Sequence, residues 1–314
     1  MSTTTVTTAK KGRDVYEAIT EEIVAELEAG TVPWRQPWRA EVGAARNAFS
    51  GRRYSGINTL LLGLAPYDDP RWATYRQIAQ HGGHVRRGAH GHLVCFFKYV
   101  EANKATTGDD EADVERGHYA LLRSYVVFNV SQADGLELPA LTPKADDPIE
   151  PLAAAEVVLA DYKDSPEVVT GAGAATYHPD RDVVGIPACG AFESVEAYYL
   201  TLWHELAHST GHPNRINRRD LVDGRFGDTR YAREELTAEI GAAMIAARTG
   251  IVPPDVEQRA AYIASWLEAL RNDRKLIVIA AGRAQKAADW ILGTRDDEPQ
   301  PTDSEQMQAD AGSH

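Results

Sequence analysis

The sequence has few of the features that mark secreted and membrane proteins. Its 314 residues include only two cysteines, Cys95 and Cys189, which lie far apart and so predict neither a disulfide framework nor a thiolate metal site. No apolar run approaches the roughly 18–20 residues that a membrane span needs, and the Thr-rich N-terminus has no apolar segment typical of a signal peptide. We therefore expect a cytoplasmic protein without a membrane partner.

Positive charge is scarce over most of the chain and concentrated in one segment. The formal net charge is −13, yet residues 30–100 hold ten Lys or Arg and only three acids. That segment alone carries +7, which leaves −20 for the remainder. Such an uneven distribution predicts that the two halves of the chain have different partners.

Hydrophobic periodicity predicts an α+β protein with two domains. Helices are expected at 14–29, 56–64, 74–81, 151–163 and from Ser194 onward, and strands at 93–100, 119–130, 167–170 and 182–187. The Pro-rich stretch 138–150 is predicted to link domains at 13–137 and 151–293. Residues 1–12 and 294–314 read as a disordered lead and a disordered acidic tail.

The clearest chemical motif is His-Glu-Leu-Ala-His at residues 204–208. On a helix, His204 and His208 are four residues apart and project from one face, at a separation suited to one metal ion. Glu205 stands beside them, where it can accept a proton from metal-bound water as the catalytic base. The alternative is two ordinary helical histidines beside a solvated glutamate.

A third metal ligand is predicted about 27 residues further on, in an Ala-rich helix. Glu235 and Glu239 lie one helical turn apart there, and buried carboxylates need a metal or a cation. We predict Glu235 as the ligand and Glu239 as an acceptor behind a ligand histidine. The alternative pairs these glutamates with Arg230 or Arg233, and the choice between Glu234 and Glu235 depends on which face points inward.

His212 follows Gly211, the glycine expected to end the motif helix. We expect His212 to be a structural residue or a hydrogen-bond partner behind the ligands, and not a ligand itself.

Tryptophan and tyrosine are interleaved with the basic residues of segment 30–100. Cations that follow phosphates and aromatic rings that stack on unpaired bases are the combination that holds single-stranded nucleic acid. Pro33 and Pro37 are expected to keep the chain extended and to display the rings of Trp34 and Trp38. The alternative is that the aromatic rings form a core and the arginines only maintain solubility.

Both halves resemble the ArdC-type antirestriction proteins, which plasmids, phages and other mobile elements carry. The N-terminal likeness rests on GTVPWRQPW, NAFSGRRYSGINTLLL and RWATYRQIAQHGGHVRRGAHGHLVCFF, and the C-terminal likeness on YHPDRDVVGIPACGAFESVEAYYLTLWHELAHSTGHPNRINR and YAREELTAEIGAAM. The resemblance implies a mixed α/β single-stranded-DNA-binding domain followed by a zincin-like metallopeptidase domain with a small sheet. Its Glu-x-x-Ala-acid pattern favours Glu235 as the third ligand.

With this resemblance, the sequence predicts a set of nucleic-acid contacts and a metal. The predicted contacts are Trp34, Arg35, Trp38, Arg39, Asn47, Arg52, Tyr54, Asn58, Trp72, Arg76, Gln77, Arg87 and Lys98. The expected metal is Zn²⁺, with Mn²⁺ as the alternative. Zincins lay an extended substrate along an edge strand; residues 182–187 are expected to be that strand, with Tyr177 and Tyr231 as hydrogen-bond donors to the transition state.

The sequence therefore predicts an antirestriction protein that binds single-stranded DNA and carries a metal-dependent peptidase-type centre. Its partners would be that DNA and a protein or peptide substrate, such as a host restriction factor. A second hypothesis is an active zinc metalloprotease whose N-terminal domain only localises it to DNA. A binding protein with a vestigial metal site is disfavoured, because His204, Glu205, His208, Glu235 and Glu239 are all present.

Overall fold

A computed structural model describes residues 14–35, 44–101, 118–141, 151–218, 229–252 and 260–294. The predicted lead, almost all of the predicted tail and most of the predicted linker lie outside these ranges, as do Trp38 and Arg39. In the described part of the chain, no helix is long and apolar enough to cross a membrane.

The chain begins its described part with helix α1, Val15–Glu28. Asp14 caps it as the sequence indicates, because its carboxylate accepts the amide hydrogen of Tyr16 at 3.0 Å. Ile19, Ile23 and Leu27 form its buried stripe. Pro33–Arg35 then form a single 3₁₀ turn, so the prediction of an extended, displayed loop is wrong for these three residues.

A four-stranded sheet forms the centre of the N-terminal half. Its strands are β1 (Arg46–Asn47), β2 (Arg71–Thr74), β4 (His92–Glu101) and β5 (His118–Asn129), in the order β1-β2-β5-β4. The long antiparallel pair β4–β5 matches the two strands predicted from the sequence. Strands β1 and β2 pair in parallel and were not predicted, because two to four residues are too few for an alternating pattern.

Two short helices and a small ribbon flank this sheet. Helices α2 (Ile57–Gly63) and α3 (Tyr75–Gln80) lie where the sequence predicts them. Strands β3 (His84–Val85) and β6 (Ala133–Asp134) form a separate antiparallel pair.

The C-terminal half places a three-stranded sheet before a group of helices. Its elements are α4 (Pro151–Asp161), β7 (Glu167–Thr170), β8 (Thr176–His178), β9 (Val183–Ile186), α5 (Val195–Ser209), α6 (Thr229–Thr249), α7 (Ala260–Asn272) and α8 (Leu276–Leu292). The strand order is β7-β9-β8. The prediction that residues 182–187 form the edge strand is therefore wrong. β9 is central, because the unpredicted β8 pairs with its other side.

The architecture is α+β with two domains, as predicted, and one apolar core runs through both halves. That core joins residues of α1 and α2 to residues of α5, α6, α7 and α8. Helix α1 packs against α7, and Trp34 meets Trp266 edge to face with ring centroids 5.1 Å apart. Gly56 donates its amide hydrogen to Gln285 Oε1 at 3.1 Å.

Candidate metal centre

The motif helix α5 is fixed at its start by local sequence and along its length by burial. Ser194 Oγ accepts the amide hydrogen of Ala197 at 3.1 Å, which satisfies one of the free donors of the first turn. Leu202, Trp203 and Leu206 are 0–2% exposed. Burial of these apolar residues fixes the rotation of α5 about its own axis. The polar motif residues on the other face of the helix therefore keep one orientation.

Helix α6 lies against α5 because small residues line the contact. A Cβ atom added at Gly241 would meet the Cβ of Ala207 at 3.3 Å, closer than most real Cβ contacts. Ala238 and Ala242 of the same helix are also buried. The Ala-rich sequence of α6 thus brings its carboxylates up to the histidines of α5.

Three predicted ligands come together between these helices. His204 Nε2 and His208 Nε2 are 3.1 Å apart. Glu235 Oε2 lies 3.7 Å from His204 Nε2, and Glu235 Oε1 lies 3.6 Å from His208 Nε2. Among the described residues, these three form a group whose ligand atoms all lie within 4.8 Å of one another.

The donor set fits a divalent metal. Two ligand atoms about 2.0–2.1 Å from a tetrahedral zinc ion lie about 3.3 Å apart, close to the three separations in this site. Two imidazoles and one carboxylate leave a coordination position for water or substrate, which is the arrangement of a catalytic and not of a structural zinc site.

Glu205 is held by the sheet. It is 9% exposed, and its Oε2 accepts the amide hydrogen of Tyr177, on strand β8, at 2.7 Å. β8 is an edge strand, and its Tyr177 N–H donates a hydrogen bond to the motif glutamate, Glu205. No sequence pattern predicts this contact, because β8 is only three residues long.

The Tyr177 side chain is directed into a different network. Its hydroxyl donates to Asp182 Oδ1 at 2.8 Å, and Arg215 also binds Asp182. Burial, the hydrogen bond to Asp182 and the Asp182 charge raise the pKa of Tyr177. The predicted donation from its hydroxyl to a transition state would therefore have to compete with this carboxylate. Tyr231 lies in α6, one turn before Glu235.

Behind His208 lies a buried ion pair that sequence reasoning missed. Glu234 Oε1 is 3.2 Å from His208 Nδ1, and Arg218 donates to both oxygens of Glu234 at 2.9 and 2.6 Å. Burial opposes ionisation of Glu234, but the hydrogen bonds and charges of Arg218 and His208 lower its pKa to about 2. Burial alone would lower the pKa of His208; the Glu234 hydrogen bond, with the charges of Glu234, Glu235 and Glu205, raises it.

The structure separates the two adjacent glutamates by role. Glu235 faces both motif histidines, whereas Glu234 contacts the far side of His208. Glu239 lies on the other side of the site, with Oε1 4.0 Å from His204 Nδ1, beyond hydrogen-bond distance. His212 belongs to the turn after α5, where its Nδ1 accepts the amide hydrogen of Asn214 at 3.2 Å.

Three of the predicted nucleic-acid contacts are buried. Trp34 is 0% exposed, Trp72 2% and Asn58 4%. Trp72 packs edge to face against Tyr67 and His92, and Asn58 binds the backbone of Cys95. The prediction that these side chains contact DNA is incompatible with their positions, because the aromatic residues of this segment also supply its core.

Other predicted contacts have structural partners or lie at the surface. Asn47 Nδ2 donates to Gln77 Oε1 at 3.2 Å, and Gln77 completes a capping box with Thr74. Tyr54 is half-buried against Phe96, and Arg52 is half-buried. Arg76 and Arg87 are exposed, and the side chains of Arg35 and Lys98 lie outside the described part.

An exposed aromatic residue of the basic segment that is absent from the predicted contacts lies beside Arg76. Tyr75 is 61% exposed, and its ring meets Phe128 edge to face at 6.4 Å. It follows the cap residue Thr74, so it occupies the first turn of α3. A capping-box analysis of residues 74–77 could have placed it there.

Two family models match the chain. The model for the N-terminal domain of anti-restriction factor ArdC matches residues 13–128, and the model for a zincin-like metallopeptidase matches residues 153–283. The two matches fall on the sheet with its flanking helices and on the metal centre, respectively.

Solved structures and relatives agree with those matches. The metal-free ArdC antirestriction protein of plasmid R388 is 37% identical, with a TM-score of 0.68, and the comparison covers 92% of this chain and 100% of that one. Its Mn(II)-bound structure is 36% identical, with a TM-score of 0.69, over 91% and 100% of the two chains.

Similar relatives include one of nearly equal length and two longer ones. The uncharacterised protein y4eC of Sinorhizobium fredii (strain NBRC 101917 / NGR234) is 37% identical over 94% of this chain and 96% of its own length. Two DNA primases TraC of Escherichia coli are 35% and 36% identical over 90% and 88% of this chain. The chain spans only 27% and 20% of the length of these primases.

Proposed function

The chain belongs to the ArdC antirestriction family, and on that premise we propose that it binds incoming DNA as a single strand and protects it from restriction. We further propose that its metal centre hydrolyses peptide bonds, with His204, His208 and Glu235 as ligands and Glu205 as general base. Zn²⁺ is the proposed metal and Mn²⁺ the alternative, because a related ArdC structure holds Mn(II).

One observation supports the peptidase proposal: the Glu205 carboxylate is held in place beside three potential metal ligands that leave a coordination position for water or substrate. When bound, the metal ion supplies Lewis acidity toward a water molecule and a peptide carbonyl. Glu205 Oε2 accepts the Tyr177 amide hydrogen at 2.7 Å, so Oε1 is the oxygen that would take up a proton. The backbone contact keeps this carboxylate from swinging away between cycles.

The DNA-binding proposal is supported by the surface around α3. Tyr75 and Arg76 stand exposed at its first turn, and Arg87 is exposed in the loop after β3. The segment they belong to carries +7. An exposed ring beside guanidinium groups offers stacking and phosphate contacts to unpaired bases.

Oligonucleotide binding at several salt concentrations tests this surface. Tyr75→Ala is expected to weaken binding by about 1–3 kcal/mol, the range for one lost stacking contact. Arg76→Ala should reduce the slope of log affinity against log salt by about 0.7 per lost phosphate contact. Arg248→Ala, an exposed arginine of α6, is the control and should change neither. Equal affinity for parent and Tyr75→Ala would remove Tyr75 from the interface, and an unchanged salt slope for Arg76→Ala would remove Arg76.

The Glu205→Gln variant separates protection from proteolysis. We expect it to retain metal, to lose peptide hydrolysis and to protect incoming DNA as well as the parent, because protection is proposed to come from strand binding. Transfer of restriction-sensitive DNA into a restricting host is the measurement. Loss of protection in a metal-loaded Glu205→Gln protein would favour the second candidate, a DNA-localised protease that acts on a host restriction factor.

A further inference from the structure

Arg218 is a buried guanidinium with a specific place in the metal centre. It is 6% exposed and lies after the turn that ends helix α5. It donates to the carbonyl oxygen of Ala207 at 2.8 Å and to Thr210 Oγ1 at 2.5 Å. Arg218 therefore neutralises the negative end of the helix that carries both motif histidines.

The same guanidinium holds Glu234 in a forked geometry. Arg218 Nε reaches Glu234 Oε2 and Arg218 Nη2 reaches Glu234 Oε1, and Glu234 is 4% exposed. A bidentate pair of this kind fixes the plane of the carboxylate as well as its position. Glu234 therefore has one orientation in which to meet its next neighbour.

That neighbour is His208. Its Nδ1 lies 3.2 Å from Glu234 Oε1, and an ionised carboxylate can only accept a hydrogen bond. In the neutral ring, the form that can bind a metal, Nδ1 must therefore carry the proton, which leaves the lone pair of Nε2 directed at the group formed with His204 and Glu235. On His204 the corresponding nitrogen, Nδ1, lies 4.0 Å from Glu239 Oε1.

We infer that Arg218 and Glu234 are positioning residues that set the tautomer and ring orientation of His208, and so determine the affinity of the centre for its divalent metal. They act through His208 and touch neither metal nor substrate. The inference rests on the proposed metal centre and is independent of whether that centre hydrolyses peptides or the N-terminal half binds DNA.

Calorimetric titration of the chelator-treated full chain with Zn²⁺ and with Mn²⁺ tests it. Glu234→Gln keeps the shape of the side chain but replaces an acceptor-only carboxylate with an amide. We expect its dissociation constant for Zn²⁺ to rise about 10- to 100-fold, the range for lost partners behind ligand histidines. With Co²⁺ as the probe, the visible absorption band should shift, since it reports ligand geometry.

Asp182→Asn is the matched control. Asp182 also accepts hydrogen bonds from a largely buried arginine, Arg215, that binds the end of α5 through the carbonyl oxygen of Ser209. It contacts no imidazole of the predicted ligand set. This variant should lose stability as Glu234→Gln does and yet keep the parental metal affinity and Co²⁺ spectrum.

A second variant keeps the test valid if Glu234→Gln does not fold. Exchanging both members of a buried ion pair for apolar residues of similar volume is often tolerated, whereas removing one is not. Glu234→Leu combined with Arg218→Met should therefore fold, and it should still show the weakened affinity because His208 has lost its acceptor.

Each outcome bears on a different claim. Parental Zn²⁺ affinity in either folded variant would overturn the positioning role of Glu234. An equal loss of affinity in Asp182→Asn would overturn it too, because the effect would then follow general destabilisation. Absence of metal binding by the parent would instead refute the metal centre itself.

Discussion

The role of each glutamate at the candidate metal site depends on the atoms that its carboxylate contacts. Glu205 and Glu235 both lie at the candidate metal site, and Glu205 accepts a hydrogen bond from a backbone amide, that of Tyr177. Glu234 and Glu235 are adjacent in sequence and face opposite sides of His208. A carboxylate's role in such a centre follows from the atom it meets and cannot be read from its residue type.

At the residue scale, the proposed ligand role of Glu235 predicts the behaviour of its alanine variant. Removing a ligand should weaken Zn²⁺ binding by more than about 100-fold, since changes behind the ligands already cost about 10- to 100-fold. Elemental analysis after gel filtration measures the retained metal. Glu205→Gln is the control and should keep a full complement, because its carboxylate is not among the three grouped ligands. Retention of metal by Glu235→Ala would assign the third ligand elsewhere.

Asn58 gives a second residue-scale prediction, and one that reverses its predicted role in DNA binding. Its amide accepts the Cys95 N–H at 2.7 Å and donates to the Cys95 carbonyl oxygen at 2.8 Å, so it pairs with β4 as a neighbouring strand would. Asn58→Ala leaves both backbone groups buried without a partner and should cost about 2–4 kcal/mol. Chemical denaturation measures the loss.

Asn47→Ala is the comparison for Asn58. Its side chain caps a turn by accepting the amide hydrogens of Phe49 and Ser50, at a partly exposed position where water can replace it. The loss should be smaller than for Asn58→Ala. DNA affinity of folded Asn58→Ala should equal that of the parent; a large, selective loss of affinity would restore the original assignment.

At the scale of elements, helix α1 has one face against the core of the C-terminal helices. Its C-terminal residue Glu28 pairs with Arg271, and its cap residue Asp14 pairs with Arg274 at 2.7 Å. Thr20 Oγ1 donates to the Arg274 carbonyl oxygen at 2.7 Å. The first described helix thus contacts α7 and the turn between α7 and α8 at both of its ends and near its middle.

A glutamate on that helix predicts a dependence of stability on pH. Burial, with the nearby charge of Glu26, raises the pKa of Glu22 from 4.5 to about 7. A carboxyl group whose folded-state pKa is raised binds its proton more tightly in the folded state than in the unfolded state. Its ionisation therefore lowers the free energy of unfolding, and this loss is absent below pH 4.5 and complete above pH 7. Glu22→Gln should therefore stabilise the protein at pH 8 by about 2–3 kcal/mol.

Urea unfolding of parent and variant at pH 4.5 and pH 8 measures this effect. The difference between Glu22→Gln and the parent should be small at the lower pH and largest at the higher one. Glu17→Gln, at an exposed position of the same helix, is the control for the substitution itself. A pH-independent gain for Glu22→Gln would mean that its charge is not penalised in the folded state.

For the whole molecule, the apolar core is shared between the two family domains. Trp34 is 0% exposed and Trp266 is 7% exposed, and their edge-to-face contact joins the N-terminal turn to α7. Gly56 lies at the start of α2, and a Cβ atom added there would be 3.7–3.8 Å from the backbone of Ala281 and Gly282. The two halves therefore depend on each other for burial.

A double-mutant cycle measures that dependence. Trp34→Ala and Trp266→Ala should each cost about 3–5 kcal/mol, the range for aromatic truncation in a core. Because the rings contact each other, the double variant should cost less than the sum by about 0.5–3 kcal/mol. Additive costs within error would show that this contact does not couple the halves. The cycle also tests whether Trp34 acts in folding, as its burial indicates, or in DNA binding.

The sequence by itself determined the elements and chemical groups whose signals are local. The cap and buried stripe of α1, the long strands β4 and β5, and the motif helix α5 all follow from periodicity and capping within one segment. The spacing of His204 and His208 by itself predicts that they share one site, since a helix brings residues four apart onto one face.

Only the tertiary structure decided which side chains meet across segments. The choice of Glu235 over Glu234 depends on how α6 rotates against α5, which Ala207 and Gly241 set by close contact. The Arg218–Glu234–His208 chain joins three segments that no local pattern connects. For Trp34 and Trp72, the sequence does not distinguish stacking on bases from packing in a core, because both roles require a large apolar ring. The burial of the two side chains distinguishes these roles.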